Sequence, residues 1–527
     1  MRRLTRTATA ALSACLLAGG LAAAAPTSAD PSHGRHHDRA TSWGPTQKEV
    51  REARRYVADL TLSELAGQVV VARYAGPASP QKFIEDRHLG GVTMFADNIA
   101  SVEAIKGVNE GLQATNDRPY PLWLAVDQEG GRVARLGAPM TLFPSFMSNG
   151  AARQRHLTRA AAKASAREVR DAGFNVAFAP DADVTAGPAD PVIGSRSAGS
   201  DAGVVSQMVT AALKGYEDGG VLSSIKHFPG HGSLTVDSHL GLPRYGGTLE
   251  ELRAKDYKPF EAGIKAGAPM VMIGHIDVPQ LDDGTPASLS RPVITGELRE
   301  RLGFEGVIVT DALEMGAIVE KYGAAEAVVK TLQAGTDVAL MPADTDAAIA
   351  AIDAALRDGT LDEKQVRAGA TRMVALLIHE KNQKQPRNQI GTHTKESLDL
   401  SRAALTSVAG PCRGRLVGDT VTVTGQKVLT DAFTTAAKAA GLTVAPGGTT
   451  VALLGRADAA TSADVVVSTD TPYQLGTSTA TSKLATYGQG PQAMQALVEV
   501  LLGERRARGT LPVPVDGVER TGCSSRR

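Results

Sequence analysis

The residue types best suited to catalysis are concentrated in one stretch, SSIKHFPGHGSLTVDSHLGL. It contains Lys226, His227 and His231, and it places Asp237 two positions before His239. A buried strand carries such groups only where each finds a partner, because an unpartnered polar group is costly to remove from water. The glycines and the proline between the histidines allow the backbone to bend. The stretch therefore predicts a barrel strand that ends in a mobile catalytic loop.

His239 is the candidate proton carrier of this loop. The ordinary pKa of a histidine, near 6.5, suits a group that gives up a proton and takes it back near neutrality. Asp237 can orient the ring and stabilise its charged form, as the carboxylate of a catalytic triad does. The alternative is a histidine that is simply solvated on a surface loop.

A metal site is the second interpretation of the same residues. His227, His231 and His239 could bind a metal ion together with Asp237. Their spacing matches no recognised zinc motif, and Lys226 would place a positive charge beside the ion. We therefore expect neither a metal nor a cofactor.

A carboxylate that could act as a nucleophile ends another apolar run, GVIVTDALEMGAI, at Asp311. An aspartate between a strand and a helix can also be an ordinary helix N-cap. Glu314 lies one helical turn further on and is the rival carboxylate.

Further polar residues follow other apolar runs. Asp127 and Arg135 lie in VDQEGGRVAR, Arg196 in IGSRS, and His275 directly after MVMIG. Short acids and guanidinium groups are suited to binding sugar hydroxyl and carbonyl groups. A structural ion-pair network at the rim of the site, or an ordinary surface arginine, would use the same residue types.

Eight short apolar runs alternate with alanine-rich amphipathic segments, which predicts an α/β fold. We favour a (β/α)8 barrel over a doubly wound sheet, because polar residues follow nearly every run. In a barrel those positions converge on one face, whereas in an open sheet they spread along an edge. The predicted strands cover residues 69–71, 91–95, 122–126, 176–179, 223–227, 270–274, 306–310 and 338–341.

The chain of 527 residues is too long for one compact core, so we expect two domains. The barrel is predicted for residues 47–379 and a polar linker for residues 380–396. A smaller α/β domain without a catalytic cluster is predicted for residues 397–527. Cys412 and Cys523 bracket this domain and form an even pair, which predicts a disulfide if the protein is exported.

The N-terminus is typical of an export signal over residues 1–29, where arginines precede an alanine-rich apolar run. Residues 30–46 are predicted to be a disordered lead. We expect a secreted, extracellular protein. The alternative is a lipoprotein on the outer face of the cell membrane, because the segment ending at Cys15 resembles a lipoprotein box. No membrane association is expected unless Cys15 is lipidated.

The composition restricts the partners. Lysine plus arginine and aspartate plus glutamate both number 56, so the formal net charge is zero and nucleic acid is not an expected partner. Aromatic residues make up only 4% of the chain, which favours a small pocket over a long groove lined with stacking rings. The sequence predicts no oligomeric state.

Four motifs, VDQEGGRVAR, IGSRS, KHFPGHGSLTVDSH and VIVTDALEMGA, occur in this order between residues 60 and 372. Together they resemble the β-N-acetylglucosaminidases of glycoside hydrolase family 3, of the NagZ type. The resemblance implies that Asp311 is the nucleophile and that Asp237 with His239 forms the acid/base dyad. It also implies sugar contacts from Asp127, Arg135, Arg196, Lys226, His227 and His275.

The activity implied by this resemblance is that of a retaining, exo-acting β-N-acetylhexosaminidase. The expected partner is a small sugar substrate, with terminal N-acetylglucosamine removed from peptidoglycan- or chitin-derived fragments. Ser195 and Ala198 stand where many relatives have an acid and an aromatic residue, so the contacts to the acetamido group are not implied. The alternatives are a β-glucosidase or β-xylosidase of the same family and a non-catalytic cell-wall-binding protein.

Overall fold

The computed structural model describes residues 40–383, 386–459 and 461–523. The predicted export signal, Cys15 and residues 30–39 of the predicted lead lie outside these ranges. Within the described chain, no helix combines the length and the apolar composition needed to cross a bilayer.

Eight parallel strands form a barrel, as the sequence predicts. Their order is β10-β1-β2-β3-β6-β7-β8-β9, and a bridge between Val309 and Val338 brings β9 next to β10. A hairpin, β4 (Gln128–Gly130) and β5 (Val133–Ala134), follows the third barrel strand. The barrel strands are β1 Val70–Arg73, β2 Gly91–Met94, β3 Trp123–Val126, β6 Val176–Ala177, β7 Leu222–Phe228, β8 Met270–Ile273, β9 Val307–Thr310 and β10 Ala339–Leu340.

These segments form strands because they are buried on both faces, as in a parallel sheet covered by helices. Every residue of β2, β3, β7, β8 and β9 is buried. β7 is unusual because it keeps Lys226 and His227 inside this core.

Helices surround the barrel. Several begin with a threonine capping box, in which the threonine side chain and a glutamate three residues later satisfy each other's free backbone N–H groups. The helices are α1 Gln47–Ala58, α2 Leu62–Gln68, α3 Gln81–Glu85, α4 Val102–Thr115, α5 Met147–Ala152, α6 Arg155–Asp171, α7 Ala202–Gly219, α8 Leu249–Ala254, α9 Tyr257–Lys265, α10 Pro279–Asp282, α11 Gly316–Ala334, α12 Thr345–Asp358 and α13 Glu363–Lys381. Short 3-10 turns cover Ala96–Asn98, Gly194–Arg196 and Ala287–Leu289, and a π-helical segment covers Pro292–Arg301.

The C-terminal region forms a separate α/β domain around a six-stranded sheet of order β11-β16-β15-β14-β12-β13. Neighbouring strands are parallel except for the antiparallel pair β11 and β16. Its elements are α14 Thr394–Ala404, β11 Thr406–Ala409, β12 Thr420–Gly425, α15 Lys427–Ala439, β13 Thr443–Val444, β14 Thr449–Leu454, β15 Val465–Ser468, a 3-10 turn Tyr473–Leu475, β16 Ser482–Ala485 and α16 Pro491–Leu501.

Both faces of this sheet are covered. One face packs on α15 and α16, through residues such as Phe433 and Leu497. The other face packs on α5 of the barrel domain, where Met147 joins a cluster with Val466 and Tyr487. The carbonyl of Tyr487 also accepts hydrogen bonds from the backbone N–H and the hydroxyl of Ser145 at 2.9 and 2.8 Å. The two domains therefore share an apolar interface.

The predicted disordered lead is partly ordered. Residues 40–46 form a small loop closed by a bridge between Ala40 and Thr46. Trp43 in this loop is only 5% exposed and belongs to the barrel core. This part of the prediction is wrong, because burial of one indole ring provides a large apolar contact area.

The predicted linker is also held in place at several points. α13 extends into it as far as Lys381 and α14 begins at Thr394. Between these helices the backbone N–H of Gln389 donates to Asp171 at 2.6 Å, and the ring of His393 lies 3.1 Å from Glu168.

The predicted disulfide is present between Cys412 and Cys523, whose Cα atoms lie 5.6 Å apart. It closes a loop with a sequence separation of 111 residues around the C-terminal domain.

We predict that the double variant Cys412→Ser, Cys523→Ser lowers the unfolding free energy of the C-terminal domain by about 4–5 kcal/mol, because a loop of about 100 residues is no longer closed in the unfolded chain. Denaturant titration followed by circular dichroism should show an earlier transition. Both tryptophans of the chain, Trp43 and Trp123, lie in the barrel core and provide an internal control. A tryptophan fluorescence transition that shifts as far as the circular dichroism transition would contradict the assignment to the C-terminal domain.

Candidate active site

A pocket of about 380 Å³ opens at the carboxyl ends of the barrel strands. Because these ends converge on one face of a barrel, side chains from distant parts of the sequence meet there. Eight of the nine predicted site residues line the pocket: Asp127, Arg135, Arg196, Lys226, His227, Asp237, His239 and Asp311.

The ninth predicted residue, His275, does not line the pocket. It is fully buried behind the wall, and both of its ring nitrogens have partners within the protein. Nδ1 lies 2.7 Å from the hydroxyl of Ser288, and Nε2 lies 2.8 Å from the carbonyl oxygen of Ala312. The resemblance implies a sugar contact for His275. In this structure the residue instead holds the backbone that follows Asp311.

The centre of the pocket wall is a largely buried group of paired charges. The Lys226 ammonium donates to Asp127 at 2.6 Å and lies 2.7 Å from Glu129. Arg196 makes a two-pronged hydrogen bond to Glu129 at 2.8 and 2.9 Å. The Glu129 and Lys226 side chains are only 4% and 3% exposed.

Glu129 is the residue of this group that the sequence analysis missed. Burial alone would raise the pKa of Glu129, but the charges of Arg196 and Lys226 outweigh it and hold that pKa well below its usual range. The signal was present in the motif VDQEGGRVAR, where the acid recurs two positions after Asp127. Without the fold, nothing in the motif indicates which acid faces the cations.

A second pair of acids, Asp181 and Asp183, lies behind His227. Asp183 accepts a hydrogen bond from the ring Nδ1 of His227 at 2.7 Å and another from the backbone N–H of His231 at 2.6 Å. Asp181 lies 3.7 Å from Arg196, and its Oδ2 atom has no hydrogen-bond partner within the described chain. Burial, reinforced by the charge of Asp183, raises the pKa of Asp181 well above its usual value.

With His227, these acids also form a group of metal-type ligands. The ligand atoms of Asp181, Asp183 and His227 lie within 4.8 Å of one another. The charges of both acids already have partners within the protein, because His227 donates to Asp183 and the Arg196 guanidinium lies beside Asp181. The metal set considered from the sequence differs from it, since the His231 ring faces Ser238 and the His239 ring faces Asp237.

Asp311 directly follows β9 and lines the pocket, where its Oδ1 atom accepts the backbone N–H of Ala312 at 2.8 Å. The N-cap alternative does not apply, because α11 begins only at Gly316. Burial opposes ionisation of the Asp311 carboxyl group, but His227, His275 and the Ala312 N–H overcome it and lower its pKa to about 2. Asp311 is therefore ionised at neutral pH.

The predicted dyad forms the exposed side of the pocket. Nδ1 of His239 lies 2.7 Å from Oδ1 of Asp237, which also accepts the His239 backbone N–H at 2.9 Å. The His239 side chain is 63% exposed and that of Asp237 is 35% exposed. Partial burial raises the pKa of Asp237, but the two His239 N–H groups outweigh this and lower it.

Arg135 and Glu314, two further charged residues of the pocket, differ in their pairing. Arg135 stacks over the ring of Phe95 at 5.3 Å, and its buried Nε has no hydrogen-bond partner among the described residues. Glu314, the rival nucleophile, lines the same pocket but is paired with Arg73 at 3.2 Å. The two candidate nucleophiles therefore differ: Glu314 forms an ion pair with Arg73, whereas Asp311 faces the pocket.

We predict that Glu129→Gln destabilises the protein by about 3–5 kcal/mol, because it leaves Lys226 and Arg196 inside the wall without their shared counter-charge. Glu314→Gln is the matched control, since it removes a carboxylate from the partly exposed pair with Arg73 and should cost no more than about 1 kcal/mol. Thermal and denaturant unfolding would measure both. Equal effects of the two substitutions would show that Glu129 is not the central counter-charge.

Residues 61–376 match the glycosyl hydrolase family 3 N terminal domain. Beta-hexosaminidase A of Pseudoalteromonas piscicida is 38% identical over 285 residues, which cover 50% of this chain and 48% of that protein. The chain thus spans about half the length of that relative. Beta-hexosaminidase LpqI of Mycobacterium tuberculosis (strain ATCC 25618 / H37Rv) is 34% identical over 343 residues, covering 63% of this chain and 87% of that protein.

The fold is also similar to that of a solved glycoside hydrolase family 3 beta-N-acetylglucosaminidase from Paenibacillus sp. str. FPU-7. The TM-score is 0.79 at 29% sequence identity, and the match covers 87% of this chain and all of that one. The family match covers more than half of the chain and contains all the residues that line the pocket. The chain therefore belongs to glycosyl hydrolase family 3.

Proposed function

We propose that this protein is a retaining, exo-acting β-N-acetylhexosaminidase. The observation that carries the proposal is the presence of two groups in one pocket: the ionised carboxylate of Asp311 and the His239 ring, which is hydrogen-bonded to Asp237. A carboxylate and a proton carrier on one sugar-sized pocket are the two groups that retaining hydrolysis needs.

In the first step Asp311 attacks the anomeric carbon while His239, in its protonated form, gives its proton to the leaving oxygen. The glycosidic bond breaks and a glycosyl–aspartate ester forms. In the second step His239 takes a proton from water, and the resulting hydroxide displaces Asp311 from the sugar. Most glycosidases use two carboxylates, and here an imidazole with its aspartate takes the place of one of them.

The paired charges supply the sugar-binding wall. Lys226 and Arg196 are held in fixed positions by Glu129, so they need no rearrangement to meet hydroxyl groups of a substrate. Arg135 also lines the pocket, so its guanidinium group can donate to the sugar. Because a barrel interior is packed with side chains, the pocket ends inside the protein and accepts the terminus of an oligosaccharide, which supports exo action.

The names of the relatives support the choice of sugar. Two are called beta-hexosaminidase and a solved structure is a beta-N-acetylglucosaminidase. We propose that the substrates are peptidoglycan- or chitin-derived fragments with a terminal N-acetylglucosamine. The signal-like N-terminus and the Cys412–Cys523 disulfide support an exported protein, because disulfides persist in oxidising compartments.

We predict that Asp311→Ala lowers kcat/KM on nitrophenyl N-acetyl-β-glucosaminide by more than about 10⁴-fold, because the nucleophile is lost. A 5-fluoro N-acetylglucosaminyl fluoride should label the wild-type protein, and peptide mass spectrometry should find the sugar on Asp311. Label on Glu314 would show that the nucleophile is the rival carboxylate.

A panel of nitrophenyl glycosides tests the choice of sugar. Faster turnover of the glucoside or the xyloside than of the N-acetylglucosaminide would contradict the proposed sugar.

We predict that the effect of His239→Ala depends on the leaving group. With a dinitrophenyl leaving group, which needs no proton, kcat/KM should stay within about threefold of wild type. With a sugar leaving group kcat/KM should fall by about 10²–10⁴-fold, the usual contribution of a general acid. His156→Ala, which removes an exposed histidine from α6, is the matched control. Equal losses with both substrates would contradict the acid role.

A further inference from the structure

The loop that carries Asp237 and His239 combines buried and exposed residues. His231 and Ser238 are almost completely buried, whereas Val236, His239 and Leu240 are exposed. The proposed catalytic pair therefore lies on an exposed segment that is attached to the protein through buried neighbours.

The start of the loop is fixed to the barrel. The backbone N–H of His231 donates to Asp183 at 2.6 Å, and the N–H of Gly230 donates to the carbonyl of His227 at 2.8 Å. Gly232 packs so closely that a Cβ atom there would lie 2.6 Å from the carbonyl oxygen of Val184. His231 thus has a defined position relative to the pocket wall.

The contacts inside the exposed segment do not fix it relative to Asp311. Both hydrogen bonds between Asp237 and His239 join residues two positions apart, so they orient the ring within the loop only. The N–H groups of Leu240 and Gly241 also donate to the carbonyl of Asp237, which is again local.

One side-chain hydrogen bond leaves this segment. Nε2 of His231 lies 2.9 Å from the hydroxyl of Ser238, the residue between Asp237 and His239. In the described structure the other hydrogen bonds of residues 235–242 stay inside the segment. Because both partners are buried, loss of either one leaves the other unsatisfied in a site removed from water.

A close backbone contact supports the segment from the other side. A Cβ atom on Gly316 would lie only 2.8 Å from the carbonyl oxygen of His239. Gly316 is the first residue of α11, five positions after Asp311. The absence of a side chain there lets the His239 backbone rest against the helix that follows the proposed nucleophile.

We propose that His231 and Ser238 are positioning residues, whose buried hydrogen bond holds the Asp237–His239 pair against Gly316 and therefore beside Asp311. The inference rests on the proposed function and deepens it, since it assigns residues that set the geometry of proton transfer. Neither residue needs to contact the substrate.

The test is Ser238→Ala, with kcat/KM measured for two substrates. For N,N'-diacetylchitobiose, whose leaving group needs a proton, we expect a loss of about tenfold or more, the effect of one hydrogen bond worth about 1.4 kcal/mol. For the dinitrophenyl glycoside we expect a change of less than about twofold. Thr235→Ala, which removes an exposed hydroxyl from the same loop, should change neither value.

Two substitutions of the partner residue provide a second comparison. His231→Leu should reproduce the effect of Ser238→Ala, whereas His231→Gln keeps a donor near the position of Nε2 and should restore most of the chitobiose activity. Equal losses with both substrates, or no loss with either, would overturn the positioning role.

Hydrogen–deuterium exchange tests the same contact without relying on turnover. The amides of residues 237–241 should exchange faster in Ser238→Ala and His231→Leu than in wild type or Thr235→Ala, while the barrel strands keep their protection. Unchanged exchange would overturn the proposal. If the wild-type protein cleaved no N-acetylglucosaminide, the proposed function would fail, and the exchange rates would still decide whether His231 and Ser238 hold the loop.

Discussion

The pairing of charges inside the pocket wall is the constraint on which the rest of the site depends. Lys226, Arg196 and Glu129 are largely removed from water, and each is stable only because an opposite charge lies within hydrogen-bonding distance. The same requirement places Asp183 against His227. The arrangement fixes the wall without help from a substrate. Beside this wall, His227, His275 and the backbone N–H of Ala312 lower the pKa of Asp311 and keep its carboxylate ionised.

The site divides into a rigid and an exposed part. The wall and Asp311 belong to barrel strands or to the segments at their carboxyl ends, where the packed interior limits their movement. The Asp237–His239 pair lies on a loop with few contacts of its own. This division suits a reaction in which one group must form a bond to carbon while another reaches a departing oxygen and then a water molecule.

The second domain contributes to the site indirectly. One face of its sheet covers α5 of the barrel domain, and Arg456 donates to the carbonyl of Pro191, in the loop that leads to Arg196. Gly194 in this loop also lies against Thr471 and Arg456. The C-terminal domain therefore supports the segment that presents Arg196, although none of its described residues lines the pocket. The disulfide between Cys412 and Cys523 lies in the domain that gives this support.

The sequence alone determined the eight strands, the two domains, the disulfide and eight of the residues that line the pocket. These predictions rest on apolar runs, on the cysteine count and on short motifs, all of which can be identified without the fold. The site followed because the carboxyl ends of the strands converge on one face of a barrel. The sequence could not identify Glu129 as the shared counter-charge, the position of His275 behind the wall or the burial of Trp43 in the core. It also could not show that Ser238 faces His231. Each of these features depends on contacts between segments that are distant in the sequence. Burial and charge pairing arise only when those segments pack together, so no single segment encodes them.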